Sequence, residues 1–490
     1  MKRVFFIQPP FFRFIGIHAR YFPYQFVSMG TYLNENGHHV RILEGDKYED
    51  YGNLDFSDQE ALYDNYLQKL RDFSDPFWKI LEKEIRDFDP DYIGITVWTT
   101  FIASAIRTAQ YCRMICPDAI IVAGGPHVTL MPEDIKKIDA IDIGVIGEGE
   151  QTILEIVNSK PLHSIPGIFY SENGVVKQNE PRLFVKNLDD FGIPDRSLLI
   201  NEEKYEAEDM GLIMSSRGCP FSCAYCATTI WENKVRTRSV ESMIDEIKLV
   251  KKKYETIYFS IKDDTFTVNK KRVHDFCNKL IKEKIDICWE CNGNLNTLDR
   301  DMLIAMRLAG CVAIKVGIES GSNRIHRIIN KKLNNKIIMS KMRMFDGIGM
   351  HLTCYFMMGI PGETKDDILR SLRFAHTIRP DYISFSVYEI FPGTELFRLG
   401  VEENMAVDHM EIEDYFRIHP HNYFFANYKR HLVGMTYDEF DSLEKYMKQK
   451  INKYNRSPRS IYLRIRSRLP LYKKSSVYFF NDIKKFFKWI

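Results

Sequence analysis

Three thiols packed into eight residues carry the most legible chemistry in this chain. Gly218-Cys219-Pro220-Phe221-Ser222-Cys223-Ala224-Tyr225-Cys226 spaces its cysteines as CxxxCxxC. Thiolates this close can wrap a compact inorganic core, yet three supply one ligand fewer than the four that structural zinc or a closed iron–sulfur cluster takes. One metal position is thereby left open to something else. A structural zinc completed by a distant thiol is the alternative, and Cys288 and Cys291 are the available partners. They lie on a predicted strand, where side chains three apart point to opposite faces, so one zinc site is awkward there. Ten cysteines in 490 residues are too few for a disulfide scaffold. In a reducing compartment a tight cluster speaks for metal or redox chemistry. Cys277, Cys311 and Cys354 read most simply as buried apolar residues.

Other turns place polar or glycine residues directly after an apolar run. In the C-terminal half these are Lys262-Asp263-Asp264-Thr265-Phe266, Gly317-Ile318-Glu319-Ser320-Gly321 and Gly359-Ile360-Pro361-Gly362-Glu363-Thr364. Singly, Asp264, Thr265 or Ser320 would serve as helix N-caps, and Gly359 and Gly362 as turn glycines. Together, each at a strand end, they favour a shared site. In the N-terminal part, Gly124-Gly125-Pro126-His127 and Gly147-Glu148-Gly149-Glu150 either let backbone approach a flat or phosphorylated ligand or are simply tight turns. Thr96 and Thr99 follow a further strand and either contact that ligand or cap a helix. No GxGxxG follows the first strand, where Gln8-Pro9-Pro10 stands, so an ordinary dinucleotide site is disfavoured.

The elements that must position these residues alternate strand and helix. Strands are predicted at Val4–Gln8, His39–Leu43, Tyr92–Thr96, Ala119–Ala123 and Ile141–Ile146, with helix-like spacing between them. That pattern predicts an α/β fold opening on a doubly wound parallel sheet, whose ligand site lies at the carboxyl ends of the strands. A second alternating region holds strands at Gly211–Ser215, Thr256–Ser260, Ile287–Cys291, Ala313–Ile318, Leu352–Gly359 and Tyr382–Val387. Six βα units predict a partial (β/α)6 barrel, again with its chemistry at the carboxyl ends. The expected domains are a ligand-binding sheet over 1–160, a linker over 161–205, the barrel over 206–400 and a C-terminal helical and basic extension over 401–490.

CxxxCxxC with an aromatic before the third cysteine, at the first strand of six βα units, resembles the radical S-adenosylmethionine (SAM) superfamily. The resemblance implies that Cys219, Cys223 and Cys226 hold a 4Fe-4S cluster whose open iron is chelated by SAM, which is cleaved to a 5′-deoxyadenosyl radical. It further implies SAM contacts from Tyr225, Asp263, Asp264, Glu319, Ser320, Gly359 and Gly362. The N-terminal turns at this distance from the cysteines are similar to those of cobalamin-binding members, a Rossmann-like sheet. Thr96, Thr99, Gly124, Gly125, Pro126, His127, Gly147, Glu148, Gly149 and Glu150 then become the cobalamin contacts. One departure stands out. The DxHxxG motif that gives many cobalamin domains an axial histidine is absent, and His18 is in the wrong context to replace it, so cobalamin is expected without a protein histidine on cobalt. The resemblance covers about residues 1–400. It implies methylation of a carbon centre, with cobalamin-dependent oxidation, cyclisation or coupling as the alternative within enzymes and a non-catalytic cobalamin sensor or carrier as the alternative outside them. It also implies an electron donor such as flavodoxin or ferredoxin.

Composition bounds the remaining possibilities. Hydrophobic residues at 45% and charged residues at 27% describe a folded multi-domain chain, and a net charge of +2 gives no general argument for nucleic acid as partner. That small charge hides an asymmetry: residues 451–490 hold eleven Lys or Arg and one acid, Asp482. Ile461, Leu463, Ile465, Leu469, Phe479, Phe480, Phe486, Phe487 and Trp489 interleave with those cations. Such a segment suits either the interface of an anionic membrane or packing onto the barrel. A membrane contact would make a lipid-like substrate more plausible. Met1–Pro10 reads as a first strand rather than a signal peptide, and the charge-free stretch Tyr92–Ile106 is too short to span a bilayer. The expected location is cytoplasmic, or peripheral at the inner face of the membrane. Tyr388, Glu389, Phe391, Pro392, Gly393 and Thr394 are expected at the barrel mouth, and His419 and His421 as surface or core histidines.

Overall fold

The computed structural model describes residues 1–16, 22–47, 59–426 and 434–489. His18 lies outside them. The chain forms two compact units, Met1–Met210 with Asp408–Phe424, and Gly211–Val407 with Phe425–Ile490.

In the first unit β1 (Arg3–Gln8), β2 (His39–Glu44), β3 (Tyr92–Thr96), β4 (Ile120–Gly124) and β5 (Ile143–Val145) run parallel in the order β2-β1-β3-β4-β5. This is the doubly wound order with a switch point beside β1, which puts a ligand crevice at the carboxyl ends of β1 and β3. Val4, Phe5, Phe6 and Ile7 are all buried, as a strand covered on both faces requires. The segment 161–205 is not a linker. Within it β6 (Ile168–Glu172) and β7 (Val175–Gln178) extend the sheet antiparallel beyond β5, and Val185, Leu188 and Phe191 bury together against Tyr32. Residues 408–424 also fold with this unit rather than with the C-terminal extension. Their aromatic side chains explain it: Tyr415 and Phe424 are fully buried, and the Tyr415 hydroxyl donates to Asp134 at 2.8 Å.

The second unit opens with β8 (Leu212–Ile213), followed by a short antiparallel ladder of β9 (Ser216–Arg217) and β10 (Arg236–Thr237). Five longer strands follow: β11 (Tyr258–Ile261), β12 (Cys288–Gly293), β13 (Cys311–Glu319), β14 (His351–Met358) and β15 (Tyr382–Val387). With β8 they make an all-parallel six-stranded sheet in the order β15-β14-β13-β12-β11-β8, an open barrel. Alternation along the strands separates two faces. Phe259, Ile261, Trp289, Ile314, Val316 and Cys354 are buried on the outer, helix-covered face. The Trp289 ring meets Phe276 of the helix Lys270–Lys282 at 5.4 Å, and its N–H donates to the Ala309 carbonyl at 2.8 Å. Ser260, Glu290, Lys315 and Tyr355 occupy the opposite, inner face, where none is fully buried.

The C-terminal extension is helical: Tyr437–Asn455, Pro458–Lys474 and Ser476–Trp489. The Asn455 side chain brackets Ile383 of β15, accepting from its N–H at 2.9 Å and donating to its carbonyl at 2.8 Å. Leu471 and Tyr478 bury against Tyr258, Cys288 and Val312. One side of this segment is thus part of the core of its unit. Among the described residues no helix is long and apolar enough to cross a membrane.

Candidate functional site

The thiol loop leaves the end of β9, at the carboxyl side of the six-stranded sheet. Gly218 opens it with φ +90° and an N–H donated to Asp264 at 3.2 Å. A Cβ here would be driven into the Lys234 backbone carbonyl, so only glycine fits the turn. Two backbone bonds moor the loop: Ala224 N–H to the Ile329 carbonyl and Leu396 N–H to the Ala224 carbonyl, both 2.9 Å. Asn330 adds a third by donating to the Ser222 carbonyl at 2.8 Å. Cys219, Cys223 and Cys226 are each partly buried and reduced. The Cys219 sulfur lies 3.4 Å from the Thr265 hydroxyl, and the Cys226 sulfur 3.2 Å from that of Thr228.

Burial pushes the Cys223 and Cys226 thiols up, and the Lys331 ammonium pulls Cys223 partly back. A bound cation reverses that bias outright, because coordination deprotonates a thiol. Among the described residues no three His, Cys, Asp or Glu side chains converge on a single metal ion. Three thiols on one short loop are one ligand short of a closed zinc site. The zinc alternative also loses its partners: Cys288 and Cys291 are both buried in the sheet, Cys288 against Tyr258 and Leu471.

Beside the loop stands a charged triad. Glu319, at the end of β13, accepts from the Tyr225 hydroxyl and the Lys331 ammonium, each at 2.9 Å, while Lys331 also reaches the Tyr225 oxygen at 3.3 Å. The Lys331 and Glu319 side chains are only 8% exposed. Burial opposes the Lys331 charge, but Glu319 and the nearby Cys223 hold its pKa above the ordinary value. Glu319 itself has φ +70° at a register shift between β13 and β14, a conformation costly for a residue with a Cβ and typical of a functional site. Lys331 escaped the sequence reading because Asn330-Lys331-Lys332 looks like a solvated charge run. Only its position twelve residues after Glu319, on the chain's return to the loop, could have flagged it.

The remaining SAM candidates divide. Asp264 is exposed and accepts from Gly218, and burial of its surroundings together with Asp263 raises its pKa. Asp263 is fully buried and already spent: it accepts from the Ser215 N–H and hydroxyl, both at 2.6 Å, and from the Ser216 N–H at 3.0 Å. It braces the chain ahead of the thiol loop and has no face for a ligand. Ser320 is likewise turned inward, to Ser371 at 3.0 Å and to the Ser322 N–H at 3.1 Å. Gly359 and Gly362 lie in the turn after β14, where the buried Glu363 accepts from the N–H groups of Gly359 at 2.7 Å and Ile360 at 3.3 Å. Burial raises the Glu363 carboxyl to about 8 against those two bonds. Its turn-holding role was not anticipated.

In the first unit the candidate turns close β4 and β5. Gly147 has φ +88° and nothing within 4 Å of where a Cβ would stand; a Cβ on Gly124 would meet only Val145, at 3.8 Å. Backbone there borders open space at the strand ends, so these two turns leave room for cobalamin to approach. The charged candidates, however, turn away from it. His127 is fully buried, with Nδ1 3.1 Å from the Thr99 hydroxyl and Nε2 3.2 Å from Asp134. Both ring nitrogens are engaged, which leaves His127 no free nitrogen for a ligand, whereas the Thr99 hydroxyl keeps further hydrogen-bonding capacity. Glu148 is buried and accepts from the Val185 N–H at 3.0 Å, and Glu150 and Thr96 are buried too. Gly125 and Pro126 start the short helix after β4, and Gly149 packs against Met29.

The sequence matches the Radical SAM superfamily over residues 213–375 and the B12 binding domain over residues 19–157. It is 34% identical over 335 residues to an uncharacterized methyltransferase of Pyrococcus horikoshii, covering 67% of this chain and 73% of that one. It is 27% identical over 333 residues to the anaerobic magnesium-protoporphyrin IX monomethyl ester cyclase of Rubrivivax gelatinosus, covering 65% of this chain and 60% of the cyclase. In fold it is similar to the radical SAM methyltransferase TsrM of Kitasatospora setae, solved with cobalamin and a [4Fe-4S] cluster. The TM-score is 0.72 over 93% of this chain and 92% of that one, at 14% identity.

Proposed function

The chain belongs to the cobalamin-binding radical SAM superfamily, and from that premise we propose that it methylates a carbon centre of a small-molecule or lipid-like substrate. When bound, cluster, SAM and cobalamin supply an electron, a hydrogen-abstracting 5′-deoxyadenosyl radical and a methyl group. The protein's own side chains do the rest. Cys219, Cys223 and Cys226 hold the cluster; Tyr225, Asp264, Glu319 and the turn at Gly359–Gly362 receive SAM. Lys331 holds the Glu319 carboxylate in place beside them. The turns Gly124–Pro126 and Gly147–Gly149 carry cobalamin through backbone and shape, and the two engaged nitrogens of His127 support a cobalt without a protein histidine. An external one-electron donor of the flavodoxin or ferredoxin type completes the system.

The observation that carries this reading is a thiol loop at the carboxyl end of a six-stranded parallel sheet, beside a buried Lys–Glu pair, in a chain related to a protein named as a methyltransferase. Anaerobic reconstitution with both cofactors and methyl-labelled SAM tests it. The expected products are a labelled substrate, with 5′-deoxyadenosine and S-adenosylhomocysteine in comparable amounts. 5′-Deoxyadenosine without any labelled product would overturn methylation and favour radical oxidation or cyclisation, the reading that the likeness to a cyclase supports. The carrier reading returns only if no cluster can be assembled on the three thiols.

The lipid-like substrate class rests on the C-terminal helices. Opposite the face that buries Ser460, Ser467 and Leu471, the helix Pro458–Lys474 exposes Tyr462, Ile465 and Leu469, and the next helix exposes Val477, Phe479 and Phe480. These side chains sit among the eleven cations of residues 451–490, whose single acid, Asp482, is bonded to Arg468 at 2.5 Å and Tyr472 at 2.7 Å. An apolar stripe flanked by Lys and Arg in large excess over acids is the pattern that lies in an anionic membrane surface. Co-sedimentation with phosphatidylglycerol vesicles is expected for the intact chain and lost in Ile465→Asp/Phe480→Asp; binding unchanged by that double substitution would remove the membrane from the proposal.

A further inference from the structure

Half-way down the inner face of the second unit lies a charged group that the cofactor chemistry does not use. Glu290 of β12 accepts from the Tyr258 hydroxyl at 2.9 Å, the Ser260 hydroxyl at 2.8 Å and the Lys315 ammonium at 2.6 Å. Lys262, at the end of β11, stands 3.8 Å from the same Glu290 oxygen that Lys315 holds. Two ammonium groups thus share one carboxylate that three closer donors already satisfy, and one positive charge is left over. Burial and the neighbouring Lys315 together lower the Lys262 pKa, while Lys315 and Lys262 overcome burial and hold Glu290 down to about 2.

This surplus faces open space. The Lys262 side chain is 42% exposed. Tyr355 is 37% exposed although its strand, β14, is hydrogen-bonded on both sides, to β13 and to β15. A side chain that accessible in mid-sheet must point into the lumen. Farther along the same face of β14, the buried Nε2 of His351 has no hydrogen-bond partner. The triad above the group is balanced within itself, Lys331 against Glu319, so it offers Lys262 no counter-ion. A lumen wall with one unmatched ammonium next to a second, and an aromatic ring one strand on, is chemically complementary to an anionic group on an otherwise apolar molecule.

We propose that Lys262, with Lys315 behind it, is the docking point for a carboxylate or phosphate-type group of the substrate, and that Tyr355 packs on the adjoining apolar part. The inference rests on the barrel interior being the reaction chamber, but not on whether a methyl group is transferred there. The site discriminates by charge: a neutral analogue lacking the acid group leaves the surplus Lys262 charge without a counter-ion.

Amine acetylation footprinting of the full chain, carrying its cluster, tests this without turnover. At matched ionic strength, inorganic phosphate or acetate is expected to slow acetylation of Lys262 by about tenfold relative to chloride, the factor expected at ten times the dissociation constant. Lys271, 86% exposed on the helix Lys270–Lys282, serves as the unprotected control. Protection by phosphate alone assigns a phosphate-type substrate, and protection by acetate alone a carboxylate. Equal labelling of Lys262 in all three salts overturns the proposal. The phosphorus NMR line broadening of inorganic phosphate gives a second readout. It is expected to vanish in Lys262→Gln, which leaves the Lys315–Glu290 pair intact and should not endanger folding, and broadening undiminished in that variant also overturns the proposal. Protection of Lys262 alongside absent methyl transfer would remove methylation and leave this site standing.

Discussion

The mouths of the two units are built from different materials. At the carboxyl edge of the barrel sheet, recognition is concentrated in side chains: three thiols, a buried Tyr225–Glu319–Lys331 triad, and Asp264 on the turn of Gly218. At the corresponding edge of the first unit the reactive side chains point inward, His127 to Thr99 and Asp134, Glu148 to Val185. What borders open space there is the backbone of Gly124 and Gly147. The difference follows from what each mouth must hold. A cluster is bonded atom by atom and an ion pair must be matched charge for charge, so residue type is decisive. A large cofactor with its own chemistry needs mainly room and hydrogen-bonding backbone.

That contrast predicts sharply different mutational responses, and the thiol loop should give the largest. Cys223→Ala removes one of three cluster ligands and is expected to abolish the iron–sulfur absorbance and lower SAM cleavage by at least about a thousandfold. Cobalamin retention through gel filtration should be unchanged. If the same variant also lost cobalamin, the two mouths would not be separable.

The same contrast explains what could be read before the fold was known. The thiol spacing and the strand ends announced the barrel site, because chemistry there depends on residue identity. Five parallel strands of the first sheet and all six of the second were legible from apolar runs bounded by glycine and proline, with ends shifted by at most two residues. Identity misled where burial decides. Asp263, Ser320 and His127 look like ligands by type, yet each is consumed by a buried hydrogen-bond network. Lys331 and Lys262 look like solvent residues, yet each stands at an inner wall. The β6–β7 hairpin reads as part of a linker and residues 408–424 as part of the C-terminal extension because their mixed polarity hides long-range pairing. Tyr415 bonding to Asp134, 281 positions away, leaves no local signature.

Next in size is the triad, where the sheet edge relies on charge. Lys331→Met leaves Glu319 buried without its cation and should cost about 3–5 kcal/mol, read by denaturant unfolding of the second unit. Adding Glu319→Gln should recover most of that loss, since the uncompensated charge is gone. A Lys331→Met loss that Glu319→Gln does not repair would assign the cost to packing instead. A smaller effect is expected in the first unit. Gly147→Val forces a β-branched residue to φ +88° and fills the open space beside it, so cobalamin affinity should fall by roughly 10- to 100-fold, for about 1–3 kcal/mol of strain and exclusion. The cluster absorbance should stay intact. His127→Ala, by contrast, should lower stability without weakening cobalamin affinity, and a comparable affinity loss in both variants would show that side chains matter at this mouth after all.

The last test compares two buried glutamates that each grip backbone. Glu148 holds Val185 in the first unit, and Glu363 holds Gly359 and Ile360 in the second. For Glu363, burial raises the carboxyl from 4.5 to about 8. Between those two values the native state keeps a proton that the unfolded chain has released. Stability contributed by this group is therefore fully present below about pH 4.5 and declines as pH rises through the window to about 8, by at most about 1.4 kcal/mol per pH unit. Above that, both states are ionised and the slope ends. Glu363→Gln cannot titrate, so its unfolding free energy should lack this decline while the wild type shows it. Because the effect belongs to the turn after β14, unfolding of the second unit should carry it and unfolding of the first should not. A pH slope that persists in Glu363→Gln would place its origin in another buried carboxyl of the second unit, with Asp381, which burial also raises, the first to examine.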